Sequence, residues 1–371
     1  MIVQRGPGWR LPLLVLGMLS LVGGVLAGLA RLGITVPEIA SSQAGNHAAL
    51  MVGAFFGTVI SLERAVALGR TWAYGAPAAA GLSGILTMAA LAPVLSRGLL
   101  VAAATVLLAG CLIVIRRQLA LYTVILATGA ACWLIGSLVW LAGASVQMVV
   151  PWWLAFLVLT IAGERLELTR FLPAHRIAPP LFVASVALVL GGALLVPWQE
   201  EAGLRIFSAG LLALAAWLLR YDIARHNARQ HGLVRFIAIC LLSGYFWLAL
   251  AGAMGIAGAF TPGHDLRDAA VHAVALGFVF AMVFGHAPII FPAVMRVKIP
   301  YHPFFHAPLL ALHGSLALRV AGVSPEAFTL RQHGALLNAL ALVLFIATML
   351  TSVVRGRSPL HARTPPISPK E

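Results

Sequence analysis

Six of the twelve histidines in this sequence fall inside or at the edge of long apolar runs. An imidazole is costly there unless it binds something or finds a hydrogen-bond partner. The six form two tiers. His47, His272 and His333 each stand at the start of an apolar run, and a neutral imidazole is both the commonest protein metal ligand and an axial ligand of haem iron. Met51 follows His47 by four residues, on the same face of a helix, where a thioether suits copper. His286, His306 and His313 make the second tier. His306 and His313 are seven residues apart and so share a helix face, within ~20°. His272 and His286 are fourteen apart, ~40° around one helix and ~21 Å along it, so a single face offers an imidazole to each tier. Pro288 and Pro292 bend the chain just past His286 and free backbone carbonyls. The sequence therefore nominates His47, His272 and His333 as cofactor ligands and His286, His306 and His313 as metal ligands. The plainer reading of each is a polar residue at an interface, or a core histidine bonded to backbone or water.

Acids inside the apolar runs are rarer still. Glu63 and Glu164 are the two, each followed by an arginine, Arg64 and Arg165. Adjacent residues do not face each other on a helix, so the expected pairs run between helices, Glu63 with Arg165 and Glu164 with Arg64. A structural ion pair weighs above a proton relay here. Cys111, Cys132 and Cys240 all lie in apolar runs; an odd, scattered set is packing, not a disulfide framework.

Whatever these residues do, they are held by helices in lipid. Hydrophobic residues make up 61% of the 371 and charged ones 10%, with a mean hydropathy of +0.97. A soluble domain carries roughly 25% charged residues. The net charge of +14 does not indicate nucleic acid, because the arginines are dispersed between apolar runs instead of clustering with aromatics, and no phosphate-cradling glycine loop occurs. A spanning helix needs about 20 apolar residues, and twelve runs qualify: 11–30, 47–68, 74–95, 99–115, 121–143, 149–166, 178–197, 204–219, 233–260, 270–294, 304–321 and 333–354. Trp72, Trp152, Trp153 and Trp198 lie near run ends, as interfacial aromatics do.

With that parity, nineteen of the 25 basic residues fall on the side of the N-terminus. The positive-inside rule then puts both termini in the cytoplasm. The expected protein is all-α and polytopic, a helical bundle over residues 1–354 with a polar, Pro-rich cytoplasmic tail over 355–371, in a bacterial inner membrane. Runs two and six both end in Glu-Arg, and run ten in Met295-Arg296-Val297-Lys298, an offset of four helices each time. Three four-helix pseudo-repeats would produce it.

The stretch from Asn46-His47-Ala48-Ala49-Leu50-Met51 to Ser61-Leu62-Glu63-Arg64, with His272-Ala273-Val274-Ala275-Leu276-Gly277, resembles the NnrS family of haem- and copper-containing membrane proteins of nitric-oxide metabolism. In outline the chain is also similar to the catalytic subunit of haem-copper oxidases, twelve helices in three arcs. The resemblance implies a low-spin haem held by histidines of helices two and ten near the outer side, the positions of His47 and His272. It does not extend to oxygen reduction: helix six reads Ala162-Gly163-Glu164-Arg165-Leu166-Glu167 and helix seven has no histidine, so the oxidase copper ligands have no counterpart. Haem, with or without copper, in redox or nitric-oxide stress physiology is the function this implies, with an unidentified redox partner and no requirement for catalysis. The alternative is a secondary transporter, since Gly244, Gly252, Gly255 and Gly258 and the Pro-broken run ten suit discontinuous helices. An enzyme of lipid-linked substrates lacks an exposed loop of acids or nucleophiles.

Overall fold

Leu11, Val15, Leu19 and Val22 follow one another at three- or four-residue steps and are all exposed, as are Leu336, Leu340, Val343, Leu350 and Val354 along the last helix. A bundle in water turns such stripes inward; here they face out, as a lipid solvent permits. The computed structural model describes residues 7–172 and 175–357, and among them there is no strand. Twelve helices succeed one another. They are α1 Leu11–Ala30, α2 Ala49–Leu68, α3 Gly75–Met88, α4 Pro93–Arg117, α5 Leu121–Leu141 and α6 Val146–Thr169, then α7 Ala178–Leu195, α8 Glu200–Tyr221, α9 Gly232–Ile256, α10 Arg267–Met295, α11 His306–Ala321 and α12 Phe328–Arg357. All but α3 are long and apolar enough to cross a membrane, and the protein is an all-α polytopic membrane protein.

The third helix is the exception, at 14 residues. Pro93 opens α4 and fixes the backbone before it; Ala90 and Ala92 both take a positive φ, so the helix stops at Met88, before the apolar run ends at 95. A 3-10 turn, Thr71–Tyr74, leads into α3 and lengthens it. Arg97, expected in a loop, lies instead in the first turn of α4, 4.8 Å over the Trp140 ring and bonded to the Trp140 carbonyl.

Helices α2, α6 and α10 form the centre. Of the eleven long spans they are the most buried, at 72%, 72% and 61%, and each touches the other two. These are the helices that the offset of four singles out. Their mutual packing in the middle, with the others around them, is the arrangement three four-helix units would give. Trp72 and Trp198 are exposed, as interfacial aromatics are, but Trp152 and Trp153 are buried. Gly136 of α5, with no side chain, makes the room for them. All three cysteines are free. Helix α12 runs on through Arg357, so the tail does not start at 355, and residues 358–371 lie outside the described residues.

Candidate functional site

His47 and His272 come together. The first sits just before α2, the second in the opening turns of α10, and their rings face each other with centroids 6.1 Å apart and planes 26° apart. Each Nδ1 lies against a backbone carbonyl, His47 on Gly24 at 2.7 Å and His272 on Asp268 at 2.8 Å. A carbonyl oxygen only accepts, so in the neutral rings Nδ1 carries the hydrogen and Nε2 keeps its lone pair. Among the described residues no protein group is hydrogen-bonded to either Nε2. Gly28 of α1 lies so close to the His47 ring that a Cβ there would be 2.7 Å from Cε1, and only glycine admits the ring at this position.

The second layer is ionic. Asp268 brings a carboxylate oxygen to 3.3 Å from Nδ1 of His272 and receives two bonds from Arg319 of α11, at 2.7 and 2.8 Å. A carboxylate behind a ligating histidine fixes ring orientation and raises ligand basicity. Arg319 and Arg31 add positive charge near His47. Neither Asp268 nor Arg319 stands out in the sequence. Arg267 and Arg331, at the same end, donate to the carbonyls of Phe260 and Gly322 instead.

Both histidine-bearing helices are π-helical immediately below the pair, over Ala49–Phe56 and Ala273–Phe280. Such segments are rare and frequently sit at functional sites. They bring Phe55 and Phe56 onto Phe280, with ring centroids 6.0 and 5.1 Å apart, and make a buried aromatic floor. Met51, one turn after His47, packs over Gly24.

The remaining candidates are not assembled in this way. His333 is exposed on α12. His313 spends both ring nitrogens: the Trp247 indole donates to its Nδ1 at 2.9 Å, which obliges Nε2 to carry the hydrogen and donate to Ser243 Oγ at 2.8 Å. His306 donates to the Pro303 carbonyl and packs on Phe236. His286 donates to the Met282 carbonyl one turn back, and stands near the charges of Glu164, Arg165 and Asp222. Among the described residues no three or more His, Cys, Asp or Glu side chains stand together so as to hold a metal ion.

At the arginine-rich end Arg64 is paired with Glu164, as the sequence predicts. Glu63 is not paired with Arg165; it lies beside Arg64 and Glu164. Arg165 instead donates to Asp222 from Nε and Nη2 at 2.8 and 3.2 Å, both partners buried. Asp222 also accepts from the Ala224 backbone, at 2.6 Å, and Tyr245, fully buried, brings its hydroxyl beside the pair. Asp222 lies just past an apolar run among basic residues, where nothing in the sequence marks it as buried. The four charged residues tie α2 to α6 and α6 to the chain after α8.

The histidine pair can do more. Two Nε2 lone pairs from helices far apart in sequence, each ring locked by its other nitrogen on a backbone carbonyl and His272 backed by a carboxylate as well, could ligate a metal ion. A family model described as Domain of unknown function (DUF8744) matches residues 10–354. No match to the chain was found among curated proteins.

Proposed function

Because the chain belongs to the DUF8744 family, whose description names no activity, its function must come from its own residues, and we propose that it is an integral membrane haem protein of NnrS-like kind. His47 and His272 would hold its iron. The observation that carries this is the pair itself: two facing imidazoles at 6.1 Å with Nδ1 of each committed to a carbonyl. Haem needs apolar walls as well as ligands, and the Phe55, Phe56 and Phe280 cluster lies just below the pair. Propionates need cations, and Arg31 near His47 would supply one.

When bound, such a haem supplies one-electron chemistry. Held by both histidines, it would favour electron transfer over gas binding. Within redox or nitric-oxide stress physiology this assigns the protein an electron-carrying part, in a bacterial inner membrane with the histidine pair toward the outside and an unidentified redox partner. Asp268 holds His272 in position and tunes it, and Arg319 holds Asp268. The metal expected of His286, His306 and His313 is not carried forward, since His313 has no free nitrogen.

The test is an absorption spectrum of the purified protein, expressed with adequate haem. A Soret band with sharp low-spin α and β bands is expected. In His47→Ala and in His272→Ala those bands should vanish while the protein still inserts and elutes as a single species. Parental spectra in both variants, or no Soret band in the parent, would sink the assignment.

A further inference from the structure

At the end opposite the histidine pair, a cavity of about 550 Å³ opens between the end of α6, the start of α7 and the end of α8. Arg170, Arg220, Arg225 and Arg229 line it, with His226. No carboxylate lies within ion-pair distance of Arg220, Arg225 or Arg229 among the described residues, and Arg170 meets Glu167 only at 3.7 Å. The one acid in the wall, Asp222, is already used by Arg165 and the Ala224 amide. Four guanidiniums around a cavity, three of them left without counter-charge among the described residues, are a site for an anion with several acceptor oxygens. Phosphate fits the planar fork of arginine best.

Most of the rest of the wall is apolar. Trp217 uses its indole nitrogen on the Ala178 carbonyl and so offers the cavity only its ring face, beside Leu166 and Pro179. Leu168, Phe171, Ile177 and Leu181, on the same stretches of chain, are exposed large hydrophobics on the outer surface. A soluble anion has no use for such a wall. An amphiphile does, with its head on the arginines and its chain along the outside of the bundle. Basic pockets between membrane helices at the positive side are where anionic headgroups bind.

We propose that this cavity binds the phosphate headgroup of an anionic phospholipid from the adjoining leaflet. The experiment is native mass spectrometry of the full-length protein in detergent, titrated with phosphatidylglycerol, with phosphatidylcholine and with inorganic phosphate. Phosphatidylglycerol adducts should persist where phosphatidylcholine adducts do not. Arg225→Gln with Arg229→Gln should weaken phosphatidylglycerol binding by more than about tenfold, each arginine near a charged headgroup being worth roughly that much between two of them. Arg116→Gln with Arg117→Gln removes the same charge from exposed positions at the same end and should leave binding intact. Equal losses in the two double variants would reduce the effect to unspecific attraction and overturn the proposal. So would equal retention of the two lipids. Displacement of the lipid by millimolar phosphate would overturn it in favour of a soluble ligand. None of these readouts depends on haem.

Discussion

A guanidinium shut away from water keeps its charge, so its partner has to be as buried as it is. Arg165 is 3% exposed and Asp222 not at all, and two hydrogen bonds join them. Removing one partner of such a pair leaves an uncompensated buried charge, at about 3–5 kcal/mol, whereas replacing both with apolar groups costs far less. Asp222→Ala should therefore lower the unfolding temperature in detergent more than the double change Arg165→Met with Asp222→Leu. A double variant as unstable as the sum of its single changes would show that the two residues do not act as a pair. At this scale the sequence is a partial guide. It nominates His47, His272, Glu164 and Arg64 because ionisable side chains in apolar runs are few. It misdirects Arg165 toward Glu63, because the carboxylate that meets it sits outside the run. It cannot separate His333 from the pair, since which face of a helix turns inward depends on packing. Asp268 and Arg319 read as interfacial charges until α10 and α11 are set side by side.

A helix that widens for two turns aims everything above it differently from an α-helix of the same sequence. Below each of the paired histidines lies an eight-residue π-helical segment, and both segments are apolar throughout. A π turn is in effect an α-helix with one residue too many. Removing a residue restores the α repeat and turns the preceding chain by ~100° about the axis. Deleting Val279 should therefore swing His272 away from His47 and abolish the low-spin bands, while α10 still crosses the membrane. Alanine at the same position keeps the residue count and should leave the bands in place. A deletion variant with an unaltered spectrum would mean that the π geometry does not position the ligand. None of this can be read from the sequence, because an all-apolar run carries no periodicity to distinguish i+4 from i+5 bonding. The helices themselves are legible for the same reason in reverse: runs of about 20 apolar residues between charges leave backbone groups no option but to bond internally. The largest error falls at α3, where Pro93 stops the run early.

Across the whole molecule, that short helix decides the sidedness of everything after it. His47 and His272 lie at one end of the bundle, and from the start of α2 to the start of α10 the chain makes eight passes if α3 is one of them. With α3 left out there would be seven, and the two histidines would lie on opposite faces of the membrane. Their contact therefore requires α3 to cross. Its 14 residues span ~21 Å and the four-residue 3-10 turn before it adds ~8 Å, close to the ~30 Å of hydrocarbon. Small residues let so modest a helix pack deeply, with Gly81 on Leu16 and Gly84 against Ser20 and Ala54. The same parity puts the arginines of the α2, α4, α6 and α8 ends together, at the end that the positive-inside rule would place in the cytoplasm. Reporter fusions after Arg70, Arg117 and Arg229 should thus read cytoplasmic, and fusions after Ala92 and Gly263 should read external. The decisive pair is Arg70 and Ala92, on either side of α3. If both report the same compartment, α3 does not cross, and the histidine pair cannot form as described.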